Sequence, residues 1–221
     1  MKGLKNNIVP LLFMLTIPIS NIFYRILNNS SRGVYSLILD MDTKVPFIKE
    51  FIIPYIIWYP FIFIFLIYIC LKNKEVYYRT LISINVGLII CYIIFYFFQT
   101  TVVRPELIGT DIFTNIVRVI YSHDNPYNCF PSVHVITTYI VMHGINTVSK
   151  NKRILISSNV IGILIILSTQ FVKQHVILDL IFAVVLGEMA FRLSIQGYHK
   201  GEELWIKKLF SSLTMKKKLE S

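Results

Sequence analysis

Residues 51–71 read FIIPYIIWYPFIFIFLIYICL, running from Phe51 to Leu71 without one charged side chain. A helix needs about 20 mainly apolar residues to cross roughly 30 Å of hydrocarbon, so this stretch decides the fold in favour of a membrane helix. Working outward from it, six stretches of this kind are expected, at about 8–27, 48–71, 80–98, 131–149, 153–172 and 175–194. The chain is therefore expected to be an all-α, polytopic membrane protein with six transmembrane helices. The fourth and sixth stretches carry histidine or acid, and are kept because polar groups inside a membrane mark function. Lys2 and Lys5 precede the first stretch as they would in a signal peptide. Its apolar run continues through Ile22 and Phe23 with no small-residue cleavage site after it, so it is read as a helix.

The composition agrees with lipid as the solvent. Of 221 residues, 55% are hydrophobic and only 15% charged, with a mean hydropathy of +0.63, against roughly 25% charged in soluble domains. The formal net charge of +10 could suggest nucleic acid, but the placement of the charges gives another reason for it. With the N-terminus in the cytoplasm, 15 of the 22 basic residues fall inside: two before the first span, three around Lys72–Arg79, three at Lys150–Arg153 and seven from Arg192 onward. Positive charge inside puts both termini in the cytoplasm, and the basic tail after Gly201 reads as a partner for anionic headgroups. A membrane partner is expected and a nucleic-acid partner is not. Cys70, Cys91 and Cys129 show no metal-ligand or CxxC spacing.

Two outer loops are long enough to carry structure. Residues 28–47 hold an apolar patch, Val34 to Leu39, followed by Asp40 and Asp42. Residues 99–130 place Ile112, Phe113, Ile116, Val117, Ile120 and Tyr121 at helical spacing, which predicts an amphipathic helix on the membrane surface.

Three polar clusters, far apart in sequence, fall at the outer ends of helices: Arg104-Pro105, Cys129-Phe-Pro-Ser-Val-His134, and Ser168 through Lys173 and His175 to Asp179. Pro131 suits the first turn of a helix. The free N–H groups of Ser132, Val133 and His134 would then form an anion site, with His134 placed to protonate a departing alkoxide. The plainer reading is a helix cap beside an interfacial histidine. His175 and Asp179, four apart on a helix, share a face. A carboxylate there fixes the imidazole tautomer and leaves the other nitrogen free to attack; the plainer reading is a structural hydrogen bond. Arg104 and Lys173 would bring positive charge to phosphoryl oxygens, although each alone is more often a snorkelling cation. His143 reads as a packing residue and Glu188–Arg192 as a self-satisfied pair. His123 and Asp124 are not distinguished from solvated loop residues, and Asn85 and Asn115 carry no readable role.

Residues 80–195 resemble the type 2 phosphatidic acid phosphatase (PAP2) superfamily, whose motifs are Lys-x6-Arg-Pro, Pro-Ser-Gly-His and Ser-Arg-x5-His-x3-Asp. The matches are Arg104-Pro105, Pro131-Ser132-x-His134 and Ser168-x6-His175-x3-Asp179. Phe97 stands where the family has its first Lys, Val133 where it has Gly, and Thr169 where it has Arg. Lys173 is a substitute cation, and the wording around it looks more like the inositol phosphorylceramide synthase branch. The resemblance implies a PAP2/haloperoxidase-like helical core. It further implies a phosphohistidine on His175 oriented by Asp179, acid–base work by His134, and phosphate contacts from Arg104, Ser132, Lys173 and Ser168, with no metal or cofactor.

The chain is thus expected to divide into a two-helix segment with an outer loop (1–79), a catalytic core (80–195) and a basic tail (196–221). The expected activity is hydrolysis of a lipid phosphoester or pyrophosphate at the extracytoplasmic face of the cell membrane. The alternative is a headgroup phosphotransferase, and a minor one is a non-catalytic anion-binding or transport protein. Phosphatidic acid, phosphatidylglycerol phosphate, a polyprenyl pyrophosphate and a sphingolipid all fit as substrate.

Overall fold

The computed structural model describes residues 8–201, with side chains to residue 194. Lys2, Lys5 and the basic residues of the tail lie outside the described side chains. The described chain is helical: α1 Ile8–Leu12, α2 Thr16–Leu27, the short α3 Asp40–Lys44, α4 Ile52–Lys72, α5 Lys74–Phe97, α6 Ile112–His123, α7 Val133–Val148, α8 Lys152–Phe171 and α9 Ile177–Gly201. A 3₁₀ turn, Phe13–Leu15, joins α1 to α2. Helices begin where a polar side chain satisfies first-turn N–H groups that have no intrahelical partner. Asn73 receives Val76 N–H, Asp111 receives Phe113 and Thr114, and Asn151 receives Arg153.

Four helical segments are long and apolar enough to cross a membrane: Ile8–Leu27, Lys49–Lys72, Lys74–Phe97 and Lys152–Phe171. The other two expected spans are helices but differ in kind. α7 has only 16 residues, and α9 carries Asp179, Glu188 and Arg192. The packing gives the reason. α7 lies in the middle of the bundle, in contact with α4, α5, α8 and α9, and Val135, Ile136, Ile140, Val141 and Ile145 are fully buried. A helix screened by four neighbours need not be apolar all round. Close approach to it is permitted by small residues: a Cβ at Gly87 would come within 2.6 Å of Ile136, and one at Gly144 within 2.5 Å of Thr80.

Large apolar side chains such as Ile64, Ile89, Ile163 and Ile181 stand exposed on the outside of the bundle, as lipid-facing residues must. The ends of α2, α5 and α8 and the starts of α4, α7 and α9 meet at one end. There, Ile48 N–H reaches the carbonyl of Phe171.

The two long loops close this end. Tyr35-Ser36 (β1) and Thr100-Thr101 (β2) form a two-residue parallel ladder, pairing Tyr35 with Thr100. Gln99 and Asn128, both buried, lock the approach to α7. Gln99 donates to Asn128 Oδ1 (2.8 Å) and to the Leu27 carbonyl (2.7 Å), and accepts from Asn128 N–H (2.7 Å). Asn128 takes a left-handed φ of 55°, a conformation Asn tolerates better than most residues. The amphipathic segment is indeed a helix, α6, but it is not only interfacial. Val117 is fully buried against Ile52, Tyr55 and Val172, while Ile112 and Val119 remain exposed.

Candidate functional site

His175 lies on the tight connection between α8 and α9, and almost every atom around it is used to hold it. Its backbone N–H donates to Thr169 O (3.1 Å), and its carbonyl accepts from the buried Gln170 side chain (2.9 Å). The preceding Lys173 has φ 53°, which turns the chain sharply enough to bring His175 back over the end of α8. The ring nitrogen Nδ1 lies 2.9 Å from the Cys129 carbonyl and 3.2 Å from Asp179 Oδ2. Both partners are acceptors, so Nδ1 carries the proton and Nε2 presents its lone pair. Nε2 has no hydrogen-bond partner among the described residues. Asp179 is fully buried and receives Val176 N–H at 2.9 Å on the same oxygen; Oδ1 is buried without a partner. A buried carboxylate with so few donors is costly, and it is set directly behind the ring where imidazolium charge would develop.

Arg104 and Lys173 line the same cavity as His175, a space of about 360 Å³ that also touches Gln170, Asp42 and Thr43. The Arg104 guanidinium is fixed by the carbonyl of Asp124 (2.8 Å), by Gln174 Oε1 (2.5 Å) and by stacking 4.3 Å from the Tyr121 ring centroid. The Tyr121 hydroxyl in turn donates to Val172 O (2.6 Å), and burial pushes that phenol up to about 12. Lys173 donates to the carbonyls of Val45 (2.5 Å) and Asp42 (3.2 Å), and burial lowers its ammonium below the ordinary lysine range. Two cations and a free imidazole nitrogen facing one space form a pocket for a multiply charged anion.

His134 stands in the first turn of α7, stacked on Tyr55 (centroids 4.6 Å apart) and Trp58 (4.0 Å), and 5.9 Å from the His175 ring. Its ring nitrogens make no hydrogen bond to a described residue. It opens into a different cavity, of about 320 Å³, shared with Asp124, His123 and Tyr24.

Several expectations need correction here. Pro131 is not in the first turn: α7 begins at Val133 and Ser132 is its N-cap, its hydroxyl accepting Val135 N–H at 3.4 Å. The Ser132 N–H is not free for an anion either, because it donates to the Asp179 carbonyl at 3.3 Å; only Val133 and His134 keep unpaired N–H groups. Ser132 is fully buried and lines neither cavity. Ser168 is also fully buried and spends its hydroxyl on Ile165 O (2.6 Å) in its own helix. Neither serine lines either cavity.

At the departures from the family motifs, Phe97 is 77% exposed on the outside of the bundle. Thr169 is fully buried and accepts the N–H groups of Gln174 and His175. Glu188–Arg192 is a pair as expected (2.5 Å) and is joined by Tyr139 (2.9 Å) and by His143 at 3.6 Å.

Sequence reasoning missed Gln174, Tyr121, Gln170 and Asp42. Asp42 is buried: Oδ1 accepts Ile177 N–H (2.8 Å), and Oδ2 accepts Leu39 N–H (2.8 Å). Gln170 and Gln174 flank His175 closely enough to have been suspected. Asp42 had no such signal, since its partner is 135 residues away.

The PAP2 superfamily model matches residues 47–193, a range that runs from α4 through α8 and takes in α9 as far as Leu193. No curated protein and no solved structure matches the chain.

Proposed function

The chain belongs to the PAP2 superfamily, a phosphatase-type membrane family, and from that premise we propose that it hydrolyses a lipid phosphoester or pyrophosphate through a phosphohistidine. The observation carrying this reading is His175: its Nδ1 is held by Asp179 and Cys129, and its unengaged Nε2 shares a cavity with Arg104 and Lys173.

In the proposed reaction, His175 Nε2 attacks phosphorus while the bond to the leaving oxygen breaks. Asp179 stabilises the positive charge that develops on the ring. Arg104 and Lys173 neutralise the non-bridging oxygens. His134, close enough for both rings to reach one phosphoryl group, gives its proton to the leaving oxygen. It then takes a proton from water as water attacks the phosphohistidine, and phosphate leaves with His175 restored. Lys173 stands in for the family cations missing at Phe97 and Thr169, beside Arg104, which the first motif retains.

Six spans are proposed, with α7 crossing inside the bundle and α9 at its outside, where Ile181, Val185 and Met189 are exposed. The share of basic residues in the two terminal segments and at 72–79 and 150–153, 15 of 22 by sequence, supports both termini in the cytoplasm and the site at the extracytoplasmic face of the cell membrane. A headgroup phosphotransferase of the inositol phosphorylceramide synthase kind is the second reading. It is favoured by the separate cavity on which His134 opens, since an acceptor alcohol there would replace water.

The test is phosphate release by the purified, detergent-solubilised protein from a panel of lipid phosphates and pyrophosphates, with EDTA present, beside His175→Ala. Release that vanishes in the variant supports the phosphatase. A fully active variant sinks the mechanism. Silence without an acceptor, followed by product formation once an alcohol is added, identifies transfer.

A further inference from the structure

The two candidate catalytic rings open in different directions, and the cavity on the His134 side has no role yet. It lies among α2, α4, α6 and α7, and its wall includes Asn21, Arg25, Asn28, Tyr59 and Asp124 besides His134. Much of the wall is apolar, from Tyr55, Trp58, Ile120 and Val133, and among these it sets amides, a guanidinium and a carboxylate, the few placed polar groups that orient a ligand carrying hydroxyls.

Asp124 is its most constrained member. Oδ1 accepts both Tyr24 Oη–H (3.0 Å) and Asn28 Nδ2–H (2.7 Å), while the backbone carbonyl accepts Arg104 (2.8 Å). Oδ2 accepts no hydrogen bond from any described residue. A largely buried carboxylate with one oxygen committed to the fold and the other unused is a fixed acceptor waiting for a donor. The residue is also tied through its own carbonyl to the arginine that lines the His175 cavity.

We propose that Asp124 is a specificity-determining residue: Oδ2 accepts a hydrogen bond from a second hydroxyl on the alcohol whose oxygen His134 protonates or deprotonates. The cavity therefore takes a diol- or polyol-bearing alcohol. This rests on the phosphoryl-transfer reading above. The alcohol arrives either as the leaving group of the donor lipid or as a free acceptor, with the same recognition chemistry. Burial raises the Asp124 carboxyl above the usual carboxylate range, with Tyr24 and Arg104 opposing; this suits a group that shares a proton with a hydroxyl.

The experiment uses the full chain in detergent and two pairs of probes. In the first arm, phosphate release from phosphatidylglycerol phosphate, whose leaving alcohol has a hydroxyl beside the ester, is compared with release from phosphatidic acid. In the second, phosphoryl transfer from phosphatidic acid to glycerol is compared with transfer to ethanol. The hydroxyl-bearing partner is expected to be preferred about tenfold or more in one arm, and that arm names the source of the alcohol. Asp124→Leu brings the preference to near parity. Asp124→Asn keeps the shape and leaves its one acceptor oxygen on Tyr24 and Asn28, turning an amide donor toward the alcohol. It should lose the preference as Asp124→Leu does while keeping the fold, which guards against a folding defect. The proposal is overturned if the wild type shows no preference in either arm, or if Asp124→Leu slows both members of a pair in parallel so that their ratio stands. Absence of release, transfer and any labelled phosphohistidine with every donor overturns the phosphoryl-transfer reading itself, and this proposal with it.

Discussion

Asp42 Oδ1 accepts the backbone N–H of Ile177 at 2.8 Å, so a residue in the loop 28–47 caps the helix that carries Asp179. The same residue accepts Leu39 N–H with Oδ2 and Lys173 Nζ–H with its carbonyl. Loop 28–47 is therefore a structural wall of the His175 cavity, and its short helix, Asp40–Lys44, serves to present one carboxylate.

Removal of that carboxylate tests the wall. Asp42→Ala leaves two N–H groups without acceptors in a site where Asp42 is only 6% exposed, at about 1–2 kcal/mol. For a chain of this size that is a fall of about 2–8 °C in Tm. Turnover should fall as well, because His175 lies two residues before the capped N–H. Thermal unfolding in detergent, run beside phosphate release, checks both. An unchanged Tm would show that the loop is not a support.

Asp179→Asn separates orientation from folding. The buried Oδ2 accepts from His175 Nδ1 and Val176 N–H. An amide can keep the second contact while weakening the charge behind the imidazole. A loss of about 10²–10⁴ in kcat is expected, with KM and Tm little changed. A variant within threefold of wild type would reduce the pair to a structural hydrogen bond.

What was legible in the sequence follows from how local each signal is. The apolar run of α4 is a short-range pattern that the structure shows as expected. His175 and Asp179 do meet, at 3.2 Å, but not on one helical face, because His175 lies in the turn before α9 begins at Ile177. Ser132 and Ser168 were misjudged because a motif gives residue type and order, whereas their hydroxyls are consumed by Val135 N–H and Ile165 O. The 16-residue α7 is screened by four neighbouring helices, which hydropathy along one segment does not report. Asp42 on Ile177, and Asn28 and Tyr24 on Asp124, are pairings across 135, 96 and 100 residues. They join loops whose composition resembles any solvated loop.

Lys173 supplies a pH signature. Its ammonium is held below the usual lysine range by burial, with Asp42 partly opposing. The charged form binds the phosphoryl anion and is lost as pH rises through that lowered value. KM for the lipid phosphate should accordingly rise on the alkaline side while kcat changes less. Lys173→Arg keeps its charge at every accessible pH, so the alkaline rise in KM should disappear. Lys173→Met should show a raised KM, by about tenfold or more, at all pH values. Steady-state kinetics from pH 6 to about 10 in detergent make the comparison; an alkaline limb that survives in Lys173→Arg belongs to another group.

His134 is expected to act twice, and a good leaving group separates the two acts. Stacked on Tyr55 and tilted against Trp58, it is held by ring contacts, which leaves both nitrogens for proton transfer. With an ordinary alkyl phosphate, His134→Ala should fail at the first step because the alkoxide departs unprotonated. With p-nitrophenyl phosphate the departing phenolate needs no acid, so His175 should still be phosphorylated. Attack by water on the phosphohistidine lacks its base, and the intermediate should accumulate. A burst of nitrophenolate close to one equivalent per protein is expected, followed by turnover slower by about 10²–10⁴. The retained phosphate should be acid-labile and base-stable, and absent from the double variant with His175→Ala. Equal slowing of burst and turnover would show that His134 serves the first step even without a proton to give. Its role would then be to position the phosphoryl group, with the water activated elsewhere in the cavity.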